Sequence, residues 1–164
     1  MELKILLATK GATKTGQWFL LPSSEFERRV RWLEEKGIEA EVLELLGDVP
    51  YRFLKDYSLS ELNSIAQGLE DLPDDVLKDI DLFLEYETLE ELIESEGEHF
   101  IYHACDSMEE VAREMVLDGS IDSYIAPYDL KNDYVDFEAV ARDLESLRPY
   151  FFQLSSGEIV EYDK

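Results

Sequence analysis

Residues 17–37 read QWFLLPSSEFERRVRWLEEKG, and the apolar period changes part-way along. Gln17–Leu21 is a short apolar strand that Pro22 stops. Beyond it, Ser24 and Glu27 have capping-box spacing, which predicts a helix from about Glu25 to Lys36 with Gly37 as its C-terminal stop. Phe26, Val30 and Leu33 then share one face, and Arg28, Arg29, Arg31, Glu34 and Glu35 are left to solvent. Towards the N-terminus, Leu3–Ala8 is another apolar run and Thr9–Gly16 is a loop by composition. Towards the C-terminus, Ile38–Leu45 alternates apolar residues with Glu, as a half-exposed strand does, and Gly47–Pro50 closes the segment. Residues 1–56 therefore read β-β-α-β.

Three more pairs share the capping-box spacing: Ser58/Glu61, Thr88/Glu91 and Ser107/Glu110. The first opens a helix that ends near Gly68, with Tyr57 and Leu62 spaced as a hydrophobic staple. Pro73 suits a first helical position, and Val76, Leu77, Ile80, Phe83 and Leu84 keep helical spacing after it. The Thr88 helix carries Leu89, Leu92 and Ile93 inward. Residues 57–99 thus read as a bundle of short helices. Phe100–Ala104 is strand-like, and the Ser107 helix places Met108, Val111, Ala112, Met115 and Val116 on one face before Gly119. Tyr124–Tyr134 is an aromatic loop, and Asp136 caps a helix bearing Phe137, Val140, Ala141 and Leu144. Tyr150–Leu154 and Ile159–Tyr162 flank a turn at Ser155–Gly157 as a hairpin. The expected fold is α+β in three small lobes: 1–56, 57–99 and 100–164.

The chain has 164 residues, 45% of them hydrophobic, which is enough for a core and excludes wholesale disorder. It carries 39 Asp and Glu against 15 Lys and Arg, a formal net charge of −24. The charge is not spread evenly. Residues 1–55 hold nine acids and nine bases, while 56–164 hold 30 acids and six bases. A salt adaptation coats the whole surface, so a neutral first third argues against one. The acidity excludes a basic patch for nucleic acid or an anionic membrane. The single cysteine, Cys105, rules out an internal disulfide, and no apolar run reaches membrane-spanning length or reads as a signal peptide. A soluble cytoplasmic protein is expected.

No catalytic motif emerges. Gly11–Gly16 has the glycine spacing of a phosphate loop, but Gln17 and Trp18 stand where Lys and Ser/Thr are needed, and a strand follows. His99, His103 and Cys105 fall on one side of a strand, yet a zinc site needs a fourth ligand and the chain holds no further His or Cys. Cys105 beside His103 lacks an orienting third group for nucleophilic chemistry. Asp129–Glu138 fails the calcium-loop pattern at Lys131 and Tyr134. The expectation is a non-enzyme with no catalytic residue, cofactor or metal.

The acids themselves form the candidate site. Between positions 70 and 98 stand 13 acids and one base, Lys78. They are Glu70, Asp71, Asp74, Asp75, Asp79, Asp81, Glu85, Glu87, Glu90, Glu91, Glu94, Glu96 and Glu98, and they leave the apolar stripes intact. A merely solvated face normally mixes signs, because like charges at helical spacing destabilise. Laid end to end as helix, this stretch would span roughly 44 Å, one acid per ~3.4 Å, the phosphate spacing of one DNA strand.

The sequence resembles the ArdA antirestriction proteins of plasmids, phages and conjugative transposons. The resemblance rests on Gly16–Pro22 (GQWFLLP), Ser60–Asn63 (SELN), Leu72–Leu77 (LPDDVL) and above all His103–Glu114 (HACDSMEEVARE). It continues through Asp133–Leu144 (DYVDFEAVARDL) to Gly157–Tyr162 (GEIVEY), covering nearly the whole chain in order. It implies an elongated, three-lobed homodimer that presents carboxylates like the phosphates of bent B-form DNA. Such a protein occupies the DNA-binding cleft of the methyltransferase core of a type I restriction–modification enzyme, with no cofactor and no direct nucleic-acid or membrane binding. By the same resemblance Asp106, Glu109, Glu110 and Glu114 fall in the family's most recognisable segment, near where its subunits associate; these four and Asp118 complete the expected partner-facing set. The neutral first lobe, with Lys10, Lys14, Arg28, Arg29 and Arg31, departs from the pattern. The rival expectation is an acidic interaction module that inhibits another DNA-binding defence nuclease, CRISPR or other, or regulates a basic host protein.

Overall fold

Strands β1 (Leu3–Thr9) and β2 (Gln17–Leu21) pair antiparallel, and β3 (Ala40–Gly47) adds to the far side of β1, giving the order β2-β1-β3. This is the computed structural model of the chain; it describes residues 2–11, 15–121, 135–147 and 150–163. Lys14, the Tyr124–Tyr134 loop and most of the Asp129–Glu138 stretch lie outside the described residues. Leu3, Ile5, Leu7, Phe19 and Leu21 are buried on one face of the sheet. Helix α1 (Ser24–Lys36) buries Phe26, Val30 and Leu33, and the Phe19 and Phe26 rings meet edge to face at 5.6 Å. Each such side chain contributes about 1.5–3 kcal/mol by leaving water.

The α1 cap lies one residue earlier than its spacing predicts. Ser23 is the cap, its Oγ accepting the Phe26 N–H at 3.3 Å. Glu27 is thereby free for a tertiary bond, and its carboxylate accepts Asn63 Nδ2 at 2.9 Å. Asn63 Oδ1 in turn accepts the Ser23 N–H at 2.7 Å. This buried Asn ties α3 (Leu59–Asp71) to the start of α1. The short helix α2 (Tyr51–Leu54), which the sequence pattern did not announce, joins β3 to α3.

The expected stop at Gly68 is instead a crossing point. Helix α3 runs on to Asp71, and a Cβ at Gly68 would overlap the Ile93 side chain of α6 (Leu89–Ser95). Between them the expected Val76–Leu84 helix is two pieces, α4 (Asp74–Lys78) and α5 (Ile80–Phe83), broken at Asp79. Pro73 sits at the N-cap of α4, one position before the helix.

The chain divides into two compact units, Met1–Gly97 and Glu98–Lys164. The boundary expected near 56 is therefore bridged by packing and by the Asn63 bonds, and the helices of 57–97 belong with the first sheet. In the second unit, β4 (Phe100–His103), β5 (Phe151–Gln153) and β6 (Ile159–Tyr162) form an antiparallel sheet in the order β4-β6-β5. Helices α7 (Met108–Asp118) and α8 (Phe137–Leu147) share a core in which Val111, Ala112, Met115, Ala141 and Leu144 join Ile159 of the central strand. The fold is α+β, as the periodicities predict.

Candidate protein-interaction surface

In the first unit the acids are held by capped helices. Ser58 Oγ accepts the Glu61 N–H at 3.3 Å while Glu61 accepts the Ser58 N–H at 2.7 Å, and Thr88 and Glu91 repeat the box at 3.2 and 3.1 Å. Glu91 is thus partly engaged in capping. Glu90 hydrogen-bonds the Tyr57 hydroxyl, whose ionisation is pushed up chiefly by burial and then by that carboxylate. Asp81 pairs with Arg52 at 2.5 Å, an exposed contact of little energetic weight. Glu70, Asp71, Asp74, Glu85, Glu94 and Glu96 are exposed, and Asp75 and Asp79 are half-buried. Among the described residues, Glu70, Asp71, Asp74, Glu85 and Glu94 have no ion-pair partner.

Glu87 does not belong to that surface. It is 5% exposed, and the Ser95 hydroxyl donates to its carboxylate at 3.4 Å. It leads into the turn before α6 and serves packing, so the partner-facing reading of this residue is corrected. Counting charges along a sequence cannot separate one inward carboxylate from twelve outward or half-outward ones.

Position along the helix matters more than number. A helix N-terminus carries partial positive charge, so Asp74 and Asp75 on α4 and Glu90 and Glu91 on α6 sit where acids stabilise. The other ends run against this rule. Glu70 and Asp71 close α3, Glu94 stands in the last turn of α6, and neither last turn holds a base. Glu96, the α6 C-cap, even takes the left-handed conformation at φ 50°, uncommon for a residue with a Cβ. These carboxylates cost local stability.

In the second unit, Glu98, Asp106, Glu109, Glu110, Glu114 and Asp118 are all exposed. Ser107 Oγ caps α7 by accepting the Glu110 N–H at 3.4 Å, but Glu110 reaches back to the Asp106 N–H, also at 3.4 Å, so the reciprocal box is not formed. Glu109 pairs with Arg113 at 3.2 Å, one turn on. Glu114 hydrogen-bonds the Cys105 thiol, which burial, more than that carboxylate, pushes up to about 11. Asp118 accepts the Ser120 hydroxyl and N–H, which hold its carboxyl below the ordinary Asp range.

The His/Cys grouping resolves into separate roles. His103 Nε2 lies 3.3 Å from Glu161 Oε2 on the neighbouring strand, and both side chains are largely buried. Cys105 lies in the apolar core of α7 and α8. Among the described residues no three His, Cys, Asp or Glu are grouped to hold a metal. Glu161 escaped the sequence reading; its one signal was a lone acid inside an otherwise apolar strand, IVEY. Strand β2, not a helix, follows Gly16, so no helix N-terminus is placed there to bind phosphate. No helix among the described residues is long and apolar enough to cross a membrane.

No known family profile matches the chain, and no curated protein sequence matches it.

Proposed function

We propose that this protein is a non-catalytic DNA mimic that blocks the DNA-binding cleft of a type I restriction–modification enzyme and works as a homodimer. The observation that carries the reading is the set of exposed carboxylates at helix C-termini, Glu70, Asp71 and Glu94, without ion-pair partners among the described residues. Helix electrostatics disfavours acids there, so their presence is explained by something outside the chain that rewards negative charge. A DNA-binding groove does so. Its Lys and Arg side chains, placed for phosphates, gain counterion-release affinity from any rigid array of anions, with fast steered association and no bases to read. The sequence resemblance to ArdA proteins names the same partner. Mimicry depends on the pattern of acids more than on any one, so single reversals weaken inhibition modestly.

The test is binding of the purified protein to a type I methyltransferase core during titration with cognate DNA and salt. Mutually exclusive binding that weakens with salt is the expected result. Absence of binding by a correctly folded protein overturns the type I target and leaves the acidic module directed at another DNA-binding defence enzyme.

A further inference from the structure

The second unit carries a notch whose chemistry differs from that of the exposed acids. It encloses about 420 Å³ beside the start of α7, the end of α8 and strand β5. Met108, Phe151 and the buried Ile159 form its apolar side, and Asp106, Glu145 and Gln153 its polar side. No Lys or Arg is among the described residues that line it. Gln153 Nε2 donates to the Asp106 carbonyl at 3.1 Å and to the Gly157 carbonyl at 2.7 Å. An amide nitrogen has two hydrogens, so this side chain offers a ligand its Oε1, an acceptor. The Asp106 and Glu145 carboxylates are exposed and also accept. The Ser107 hydroxyl is the one side-chain donor set against these three acceptors.

The strand beside the notch has an open edge. The sheet order β4-β6-β5 leaves β5 outermost among the described residues. The Tyr162 N–H donates to the Tyr150 carbonyl, and the Leu154 N–H to the Glu158 carbonyl. Bonded and non-bonded pairs alternate along antiparallel strands, so Phe152 exchanges bonds with Val160. Phe151 and Gln153, both lining the notch, therefore turn their N–H and C=O groups away from β6.

We propose that this notch seats an arginine side chain carried on an extended segment of a basic protein partner. Charge complementarity selects that occupant. A guanidinium has five donors and no acceptor, which answers a rim made mostly of acceptors. Its flat face stacks on an aromatic ring, here Phe151, and it is more weakly hydrated than an ammonium, so the apolar side favours arginine over lysine. The chain's own nearby arginines are engaged elsewhere: Arg113 pairs with Glu109 at 3.2 Å and Arg142 with Glu138 at 3.0 Å, each one turn away. The open edge then receives the backbone on either side of the arginine, as sheet edges do when they bind extended peptides. A DNA backbone offers charge without an apolar floor, so this contact is more than phosphate imitation. It resists salt better than the contacts of the exposed carboxylates do. From the proposed function the inference takes only that the partner is basic.

The test is an NMR titration of the whole chain at physiological salt with N-acetyl-arginine amide, N-acetyl-lysine amide and an acetylated Val-Arg-Val amide. The arginine probe is expected to shift the Met108 and Ile159 methyl signals with a dissociation constant on the order of millimolar. The lysine probe binds at least about 3-fold more weakly. The tripeptide binds about 10-fold more tightly than the single residue and slows hydrogen exchange at the Phe151 and Gln153 amides. Asp106→Asn with Glu145→Gln weakens the arginine probe about 10-fold, and both positions are exposed, so the fold is kept. Phe151→Leu weakens it about 3-fold and removes the preference over lysine. Shifts scattered over other acids, equal binding of the two amino-acid probes, or a tripeptide no tighter than the single residue each overturns the inference. So do Met108 and Ile159 signals that move with protein concentration alone, which would place a second copy in the notch. None of these readings uses a methyltransferase, so their failure leaves competition with DNA for that enzyme standing, and a failed competition leaves the arginine notch standing.

Discussion

Helix α1 keeps a base in its last turn, where helices α3 and α6 have none. Helix α1 has Glu25 and Glu27 in its first turn, and its last turn sets the base Lys36 beside Glu34 and Glu35, with a left-handed Gly37 beyond to satisfy its final carbonyls. Helices α3 and α6 begin equally well, each with a full capping box, but they end on acids with no base in the last turn. Their starts are optimised for stability and their ends are not. Under the proposed function, the unfavourable charge at the ends of α3 and α6 serves recognition, and α1 lies outside the recognising set.

The comparison breaks most visibly in partner binding. Glu70→Gln, Asp71→Asn, Glu85→Gln and Glu94→Gln combined are expected to weaken binding to the methyltransferase core by about 100-fold, as the loss of several charge contacts implies. Neutralising Glu25, Glu34 and Glu35 of α1 together should change it less than about 3-fold. Competition titrations at fixed salt read both, and equal losses would abolish the distinction between the two regions.

A single substitution made in each region tests packing next. Gly68→Ala drives a methyl into Ile93 and is expected to cost about 1–3 kcal/mol. Gly37→Ala meets no atom within 4 Å and costs about 1 kcal/mol through its φ of 62° alone. Urea unfolding measures both, and Ile93→Ala should rescue only the first.

Smaller effects sharpen the dipole argument. Glu70→Lys and Glu94→Lys should each raise stability by about 0.3–1 kcal/mol at low salt, and Lys36→Glu should lower it by a similar amount. High salt should erase all three. In the Glu70→Lys and Glu94→Lys variants, binding to the partner should fall as stability rises, while Lys36→Glu should leave binding nearly unchanged.

The smallest effect is a titration. Hydrogen bonds from the Ser58 hydroxyl and N–H hold the Glu61 carboxyl below the ordinary Glu value. A depressed carboxyl stabilises fully above the unfolded Glu range, and that stability is lost as pH falls through the folded value. An NMR titration should find Glu61 below 4.5, and Ser58→Ala should bring it back up.

The elements that local chemistry controls were legible in the sequence. Two of the three capping boxes expected in the first unit, Ser58/Glu61 and Thr88/Glu91, form as spaced, because hydroxyl, N–H and carboxylate meet within one turn. The strands flanking α1, the Gly37 and Gly119 stops and the closing hairpin follow from equally short-range signals. What distant residues decide was not legible. Gly68 reads as a stop or as a crossing point, and only Ile93, far along the chain, selects the second. Ser23 displaces Ser24 as the cap because Asn63 engages both the Ser23 N–H and Glu27. The same bonds erase the lobe boundary near 56. The acidic site was visible as composition, whereas the inward turn of Glu87 and the pairing of Glu161 with His103 depend on packing that no charge count contains.

The placement of three side chains makes the unmodified protein its own two-channel reporter of cooperativity. Both tryptophans, Trp18 and Trp32, lie in the first unit, and the only thiol, Cys105, lies in the core of the second. The Cys105 thiol is buried at 6% exposure and its ionisation is pushed up to about 11, so alkylation is slow in the folded unit and speeds up on opening. Fluorescence then follows one unit and thiol trapping the other along a single denaturant series. Coincident midpoints identify one cooperative block, and separated midpoints rank the two units by stability.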